Sequence, residues 1–493
     1  MTGSEINHDL KMTPGFWLCV ALLFLAVIAF HAKTVPFSNE FAYLLRLKPN
    51  FLPGDWTFSS PAREHWLFNL VFSIPSRIFS LQTAAWICRA ASWAALLIGL
   101  VRLGRRWQLA YWKIGVSVFV WLAFAQTVVN EEWMFGGFEA KVVAYICILF
   151  SLVGFTKRSI VLPSFLLGLS FSFHPAVGLW AILAVGFAFL LERLSFKELS
   201  KVIVITGFFA LIGAIPLLLD QSATGSPDDW KFVVLYRAPS ILDALKFSKS
   251  GMILCYVMLA FNCFALWRDG NFALRFLLKF QIALSAFFIA GLVLRWFELF
   301  SLLQVMPMRL FPVFTSLFFL WTVFYYFQRQ TSREYKIVIA LFAVLVIAFI
   351  DPIGKGYMQF RETVRTWTAA PNDFRQASEW ISNTTPSDSL IIQPPNRTEF
   401  WYFANRRGIV SFGYPTYDRL PEWRSRLADL TGGHVIQKGE TAGEEIENAF
   451  NQLTPEQITV LKTKYAASYL VSCGVYPYPI VFRTETYKVY QLP

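Results

Sequence analysis

The stretch "SIVLPSFLLGLSFSFHPAVGLWAILAVGFAFLL", residues 159–191, contains no Asp, Glu, Lys or Arg. A helix needs about 20 residues to cross a hydrocarbon core, so this stretch is too long for one ordinary span and short for two. Basic segments flank it, "TKRS" before and "ERLSFKELSK" after, and both ends are therefore expected on the same side of a membrane. Its one interruption is "SFHP", where Pro175 disfavours helix continuation. The pattern predicts two short helices that meet at His174.

The composition of the whole chain is that of a membrane protein. Of its 493 residues 56% are hydrophobic and 15% are charged, and the mean hydropathy is +0.47. A soluble protein would be about 25% charged. We predict a mainly α, polytopic protein with about eleven membrane-spanning helices, which lie near 15–33, 85–101, 114–130, 142–155, 159–173, 175–191, 202–219, 252–267, 280–296, 310–328 and 337–351.

The distribution of Lys and Arg predicts the orientation of these spans. The loops 102–113, 193–201 and 329–336 are basic, whereas the turns 131–141 and 297–309 hold only Lys141 and Arg309. The positive-inside rule places the basic loops and the N-terminus in the cytoplasm. The first loop, 34–84, and everything after 352 are then expected outside. Because these loops account for most of the net charge of +12, we expect no nucleic-acid partner.

The last part of the chain has a different character. From 353 to 493 charged and turn residues return, and short apolar strands such as "SLIIQ", "GIVSF", "SYLVS", "IVFRT" and "YKVYQL" alternate with helical patterns such as "DFRQASEWI". We predict a transmembrane domain over 1–352 and a small external α/β domain over 353–493. Cys473 is the one cysteine of this external part, so no disulfide framework is expected there.

The first external loop contains the strongest candidate for a catalytic group. Asp55 follows the turn formed by Pro53 and Gly54, and the apolar segment "WLFNLVFSIPSRIF" after it is expected to lie on the membrane surface. A loop that lies on a membrane and presents carboxylates to a cavity indicates a catalytic role, because a loop that only connects two helices would not need these groups. Asp55 is the first candidate for the catalytic carboxylate, and Glu40 in the same loop is the second.

Other polar residues also stand where apolar runs meet the external side. The predicted substrate-binding residues are His65, Glu132, Glu139, Lys141, His174, Arg237 and Arg309. Five of them have a structural alternative. The arginines would extend toward lipid phosphates, the glutamates would belong to a solvated turn, and His174 would only break a helix.

The motifs "NEFAYLLRLKPNFLPGDW", "GGFEAK" and "SFHPAVGLW", followed by a C-terminal α/β domain, give the chain a resemblance to a known group. It resembles the C-type (GT-C) integral membrane glycosyltransferases. These include the oligosaccharyltransferase catalytic subunit, protein O-mannosyltransferases and bacterial aminoarabinose and arabinosyl transferases. The resemblance covers most of the chain in layout and is closest to poorly characterised bacterial members.

The resemblance implies transfer of a sugar from a polyprenyl-phosphate carrier to a glycan, lipid or protein acceptor at the outer face of a bacterial cytoplasmic membrane. It implies an acidic residue in the first loop, matched best by Asp55 and then by Glu40, that serves as base or as ligand of a divalent metal such as Mg²⁺ or Mn²⁺. A second acidic residue in a later loop would be Glu132 or Glu139. The first loop lacks an Asp-x-Asp or Asp-Glu pair, which leaves metal dependence open. Arg237 and Arg309 are suited to the phosphate.

Two other functions fit parts of the sequence. A transporter or flippase for a lipid-linked or anionic substrate explains the spans and a polar cavity, but gives the first loop and the external domain no task. An assembly protein would bind a partner through aromatic segments such as "TEFWYFANRR" in the external domain.

Overall fold

The computed structural model describes residues 12–48, 51–59, 63–193, 195–219, 225–370 and 372–493. Its helices up to residue 350 are α1 (Pro14–His31), α2 (Glu40–Arg46), α3 (Trp66–Ile78), α4 (Leu81–Gly104), α5 (Tyr111–Ala123), α6 (Ala140–Phe155), α7 (Val161–Phe173), α8 (Pro175–Leu191), α9 (Phe196–Leu218), α10 (Pro227–Phe232), α11 (Pro239–Leu242), α12 (Lys249–Leu266), α13 (Phe272–Trp296), α14 (Phe300–Leu303), α15 (Leu310–Arg329) and α16 (Arg333–Ile350).

Each predicted apolar run contains a helix, but the helices differ in length. Within the described residues six helices, α1, α4, α9, α12, α13 and α15, are long and apolar enough to cross a membrane, and a bent pair that begins with α16 would make seven. The helices α5, α6, α7 and α8 are apolar but have only 13 to 17 residues. The predicted number of eleven spans is therefore not confirmed, and the sidedness stays a prediction.

The predicted break at His174 is confirmed. Helix α7 ends at Phe173 and α8 begins at Pro175, whose missing N–H is tolerated in a first helical turn. The Nδ1 atom of His174 accepts a hydrogen bond from the backbone N–H of Val177 at 3.3 Å. The histidine is therefore the N-cap of α8, and its ring is held at the junction of the two helices.

The predicted span 114–130 is wrong in its second half. Helix α5 ends at Ala123, and Ala125 and Gln126 adopt left-handed backbone conformations that stop it. The buried Gln126 side chain then binds the backbone of the next segment: Oε1 accepts from the N–H groups of Met134 and Phe135 at 2.7 Å each, and Nε2 donates to the Phe135 carbonyl at 2.8 Å. Segment 124–139 is thus an ordered, buried loop.

The first loop contains two helices rather than a free chain. One face of α3 exposes Leu70, Ile74 and Ile78, while Phe68 on the other side is buried. Such an amphipathic helix is typical of a segment that lies in a membrane interface, which stays a prediction for α3.

After a bend at Asp351 the chain continues into α17 (Pro352–Thr368), which packs on α1. Lys33 pairs with Glu362 at 2.7 Å, and the indole N–H of Trp367 donates to the Ala32 carbonyl at 2.5 Å. The α/β part begins only after this helix, at Asp373.

The α/β part surrounds one five-stranded sheet with the order β2-β1-β3-β5-β4. Its elements are α18 (Asp373–Thr384), β1 (Leu390–Ile392), α19 (Phe400–Ala404), β2 (Arg407–Gly408), α20 (Leu420–Leu430), α21 (Ala442–Asn451), α22 (Pro455–Tyr465), β3 (Tyr469–Ser472), β4 (Ile480–Arg483) and β5 (Lys488–Gln491). Strands β2, β1 and β3 are parallel, whereas β5 is antiparallel to β3 and β4. Four of the five predicted strands are confirmed. In "GIVSF" only Gly408 is in a strand, because Ile409 bonds to the Gln393 side chain instead.

Candidate functional site

Asp55 lies at the contact between the first loop and the α/β part. The preceding Gly54 has a φ of +82°, which lets the chain turn here. Oδ1 of Asp55 accepts from the N–H groups of Thr57 and Phe58 at 2.9 and 3.0 Å. Oδ2 accepts from the indole of Trp401 and the N–H of Gly408, both at 2.9 Å. Burial raises the pKa of Asp55, although these four donors oppose it. Every lone pair of this carboxylate is thus engaged by the protein.

Glu40 is equally saturated, at the contact between the first loop and α4. Both of its oxygens bond to the guanidinium of Arg89, with Nε to Oε1 at 3.0 Å. The N–H of Phe37 donates to Oε2 at 3.0 Å, and that of Phe138 donates to Oε1. A Cβ atom on Gly137 would lie 2.6 Å from Cγ of Glu40, which explains the glycine in "GGFEAK". The pair ties three segments together.

Glu132 and Arg309 form the centre of a second buried group. Oε2 of Glu132 lies 2.6 Å from Nε of Arg309, although the two are not aligned as a hydrogen bond. The hydroxyl of Tyr145 donates to Oε1 at 3.1 Å, and Nζ of Lys141 lies 3.8 Å from the same oxygen. The ammonium of Lys141 also lies 3.5 Å from the ring centroid of Trp133, a cation–π contact.

Glu139 belongs to this group but is the least satisfied of its carboxylates. It is buried, and Oε2 lies 3.8 Å from Nζ of Lys141. Within the described part of the chain Oε1 receives no hydrogen bond. Burial raises the pKa of Glu139 to about 7; Lys141 opposes this shift, and the carboxylates of Glu40 and Glu132 add to it.

Two histidines line the group on the side of the α7–α8 junction. The rings of His65 and His174 lie 5.0 Å apart, and Nε2 of His65 lies 3.1 Å from the hydroxyl of Tyr43. Nε2 of His174 lies 3.3 Å from Nη1 of Arg309. Burial lowers the pKa of both histidines, well below the ordinary value for His174, so both are neutral at pH 7.

The structure therefore brings together six of the seven predicted substrate-binding residues. We call the group of His65, Glu132, Glu139, Lys141, His174 and Arg309 the outer cluster. The seventh, Arg237, bonds to the α/β part: Nε donates to the Gly413 carbonyl at 3.2 Å, and Nη2 donates to the same oxygen. Both arginines bond to protein rather than extend toward lipid.

A divalent metal finds no suitable set of ligands in this arrangement. Among the described residues no three His, Cys, Asp or Glu side chains are grouped so that they could hold a metal ion. All lone pairs of Asp55 are engaged by N–H donors, and Lys141 lies between Glu132 and Glu139. The metal that the resemblance implied does not fit the residues as they stand.

No family model matches the chain, and no curated protein matches its sequence. Solved structures do match. The oligosaccharyltransferase of Archaeoglobus fulgidus, tethered with an acceptor peptide, aligns over 94% of this chain and 70% of its own with a TM-score of 0.51 and 14% identity. The same enzyme in complex with Zn and sulfate aligns over 92% of this chain and 67% of its own, with a TM-score of 0.52 and 13% identity. ArnT from Cupriavidus metallidurans, bound to undecaprenyl phosphate, aligns over 97% of this chain and 98% of its own, with a TM-score of 0.51 and 12% identity.

The chain has the GT-C fold. The resemblance predicted from the short motifs is thereby confirmed for the architecture. At these identities the GT-C likeness concerns the fold, and the reaction has to be argued from the outer cluster.

Three side chains that contact the predicted site residues, Arg89, Tyr43 and Tyr145, were not recognised in the sequence. Arg89 was detectable, because it is the one charged residue in the run 85–101, and a charged group inside a predicted span is rarely without a role. Tyr43 and Tyr145 had no such signal in a chain with 18 tyrosines.

Proposed function

We propose that this protein is a membrane glycosyltransferase that moves a sugar from a polyprenyl-phosphate carrier to an acceptor at the outer face of a bacterial cytoplasmic membrane. The observation that carries the proposal is the 3.3 Å contact between Nη1 of Arg309 and Nε2 of His174, which we interpret as a pair of donors, beside the unsatisfied carboxylate of Glu139. Two fold neighbours support the kinds of substrate, since one is bound to undecaprenyl phosphate and one to an acceptor peptide.

The pair of donors follows from the tautomer of His174. Nδ1 accepts a hydrogen bond from Val177, so the ring proton of the neutral imidazole is on Nε2. In this tautomer Nε2–H of His174 and the Nη1 group of Arg309 are two donors 3.3 Å apart. An oxygen of a phosphate group can accept from both, and a charge-assisted bond to arginine strengthens this. Glu132 holds the guanidinium in place.

Glu139 is the carboxylate best suited to act as general base. Asp55 and Glu40, the first candidates from the sequence, have every oxygen engaged, whereas Oε1 of Glu139 is open. A base works best when its pKa lies near the working pH, and that of Glu139 is about 7. In this proposal Asp55 and Glu40 are structural.

The reaction then uses the chain's own residues throughout. Glu139 accepts the proton of the acceptor hydroxyl while the oxygen attacks C1 of the sugar. The bond between C1 and the phosphate oxygen breaks, and its electron pair leaves with the polyprenyl phosphate. Arg309 and His174 stabilise the charge of the leaving group, and attack from the opposite face inverts the configuration at C1.

The test uses purified protein in liposomes with a panel of undecaprenyl-phosphoryl sugars. We expect transfer of label from at least one donor to an endogenous acceptor extract, and specific binding of sugar-free undecaprenyl phosphate. Arg309→Lys keeps the charge but loses the planar fork, so carrier binding should weaken by about 1–3 kcal/mol, the scale of hydrogen bonds to charged groups.

The same vesicles distinguish sugar transfer from the alternative function, transport of a lipid-linked sugar. If labelled lipid-linked sugar crosses the bilayer and no donor is consumed, the protein is a transporter and the proposal is wrong. Lys246→Gln is the control for Arg309→Lys, because it removes an exposed ion pair, with Glu440 at 2.9 Å, instead of a buried one. This control should bind undecaprenyl phosphate as the wild type does.

A further inference from the structure

Helix α17 lies across the ends of two apolar helices that run side by side. The rings of Phe30 in α1 and Phe119 in α5 are 5.6 Å apart near these ends. Toward the start of α17, a Cβ atom on Gly356 would lie 3.3 Å from that of Ala123, the last residue of α5. Toward the end of α17, the hydroxyl of Thr363 donates to the Phe30 carbonyl at 2.9 Å. Because α1 is a candidate membrane span, α17 lies at the level where that span ends.

The contacts with α1 also show which way the sides of α17 point. Thr363 bonds to a residue within α1. Glu362 pairs with Lys33 at 2.7 Å, and Oγ1 of Thr366 accepts from the backbone N–H next to it at 3.3 Å, that of Thr34; both partners lie beyond the end of α1. The side of α17 that carries Glu362 and Thr366 therefore faces away from the span. The side beyond Thr363 faces back along α1.

An apolar stripe covers the side of α17 that faces back along α1. Five apolar residues recur at intervals of four and three and so share one face of the helix: Ile353, Tyr357, Phe360, Val364 and Trp367. All five are exposed, from 42% for Val364 to 85% for Ile353. Exposed side chains of α16, such as Phe349, extend this apolar surface along the preceding helix. The stripe is therefore continuous with the surface that a membrane-spanning helix presents to lipid.

Basic side chains flank the stripe. Helix α17 contains Lys355, Arg361 and Arg365 against the single acidic residue Glu362. Arg361 and Arg365 are exposed, and each follows a stripe residue directly, so each lies about 100° around the helix from it. An apolar face with arginines at its edge is typical of a helix that lies in a membrane interface, where the guanidinium groups reach the lipid phosphates.

An apolar groove adjoins Trp367, between α17 and the two candidate spans α1 and α4. Its volume is about 270 Å³, and no polar surface of the described residues lines it. The lining side chains include Phe24 and Ile28 of α1, Trp86, Ala90 and Trp93 of α4, and Trp367. The indole N–H of Trp367 bonds to the Ala32 carbonyl, and its ring stacks on Trp86 with centroids 5.6 Å apart. From Ala32 to Phe24 the groove follows α1 for about 12 Å.

We infer that α17 lies in the membrane interface at the C-terminal end of α1, and that its stripe and the adjoining groove bind an anionic phospholipid of the surrounding leaflet. One acyl chain lies in the groove against α1 and α4, while Arg361 and Arg365 meet the lipid phosphates. A hydrocarbon chain suits a groove without polar lining, because water there would find no hydrogen-bond partner. The bend at Asp351 then turns the chain from α16 onto the membrane surface.

Lipid contact is tested with the full-length protein in nanodiscs of phosphatidylcholine and phosphatidylglycerol. The photoreactive residue p-benzoylphenylalanine replaces Val364 on the stripe or Glu362 on the opposite side, a matched pair within one helix. After irradiation, the probe at position 364 should cross-link to lipid several-fold more than the probe at position 362. No sugar donor is present, so the result does not depend on sugar transfer.

The preference for anionic lipid is measured by native mass spectrometry of the lipid that the protein retains from the same nanodiscs. The wild type should retain phosphatidylglycerol in excess over phosphatidylcholine. Arg361→Gln with Arg365→Gln should lower this preference by about fivefold for each charge removed, the scale for a basic group at an anionic membrane surface. Lys438→Gln with Arg483→Gln removes the same charge from exposed positions of the α/β part and should leave the preference unchanged.

The groove is tested by filling it. Ala90→Leu narrows the groove and should reduce the amount of phosphatidylglycerol retained. Val344→Phe is the control, because it adds bulk on an exposed side of α16, and it should retain as much lipid as the wild type.

Four results would overturn the inference. Equal cross-linking at positions 364 and 362 would mean that the stripe does not face lipid. A cross-link from position 364 to a second copy of the chain would make the stripe a dimer contact. Displacement of phosphatidylglycerol by undecaprenyl phosphate would assign the groove to the carrier. Unchanged lipid retention in Ala90→Leu, together with an unchanged preference in the double arginine variant, would leave neither the groove nor the basic edge a role in lipid binding.

Discussion

Two buried carboxylates, Asp55 and Glu139, differ in the hydrogen bonds that they accept. We propose a structural role for the first and a chemical role for the second. Asp55 accepts four hydrogen bonds, two from its own turn and two from the α/β part. Glu139 lies 3.8 Å from a lysine and keeps one oxygen without a donor. Burying a carboxylate is costly unless its oxygens are bonded, and the unbonded oxygen of Glu139 is the reason why we propose it, rather than Asp55, as the group that meets the substrate.

The most severe test of this comparison is the loss of charge at Glu139. In Glu139→Gln the shape of the side chain is kept and the proton acceptor is removed, so the rate of sugar transfer should fall by about 10²- to 10⁴-fold. Transfer is measured in liposomes with an excess of donor. Asp55→Asn is the matched variant, and its folded fraction should transfer at nearly the wild-type rate. The reverse pattern would make Asp55 the base and return to the prediction from sequence.

Glu40 should matter for folding more than for the reaction. Glu40→Gln leaves the buried guanidinium of Arg89 without its counter-charge, and breaking one partner of a buried pair costs about 3–5 kcal/mol. We expect a lower yield and a lower melting temperature in detergent. The double variant Glu40→Gln with Arg89→Met removes the orphaned charge and should recover part of the loss. No recovery would mean that the pair itself is not the cause.

Asp55→Asn should have a smaller effect on stability. An amide keeps one acceptor oxygen but turns an N–H toward the donors of Trp401 or Gly408, which should cost about 1–3 kcal/mol. The measurement is thermal unfolding, together with protease cleavage of the first loop. Glu379→Gln, at an exposed pair with Arg375 in the α/β part, should change the melting temperature little. If both variants behave alike, Asp55 does not anchor the loop.

The effect of pH on the rate of sugar transfer should be the smallest of these effects. Because burial raises the pKa of Glu139 to about 7, the active ionised form is lost as the pH falls below that value. The transfer rate at low substrate should fall about tenfold per pH unit below 7 and level off above it. A phosphodiester donor does not titrate in this range. The break near pH 7 should be absent from the residual activity of Glu139→Gln, and a break that persists there would belong to another group.

The sequence was sufficient for the fold class and for the residues of the outer cluster, but not for the number of spans or for the roles of those residues. Apolar runs, the break at His174 and polar residues at span ends are local patterns, and they located α7, α8 and six of the cluster residues. The role of Asp55 depends on donors from Trp401 and Gly408, which lie far along the chain. No local pattern indicates whether a carboxylate oxygen will be bonded or open. The end of α5 at Ala123 likewise depends on the bonds that Gln126 makes to Met134 and Phe135 rather than on hydropathy.

The contact at Asp55 also determines which segments of this protein can be exchanged independently. Trp401 reaches the carboxylate from 346 positions further along the chain, and the guanidinium groups of Arg419 and Arg426 each lie 4.6 Å from the ring of Trp56. Residues 51–59 and the α/β part therefore form a single module, although the chain separates them by most of its length. A chimera that exchanges the C-terminal region with that of another protein of this fold has to exchange this short segment with it.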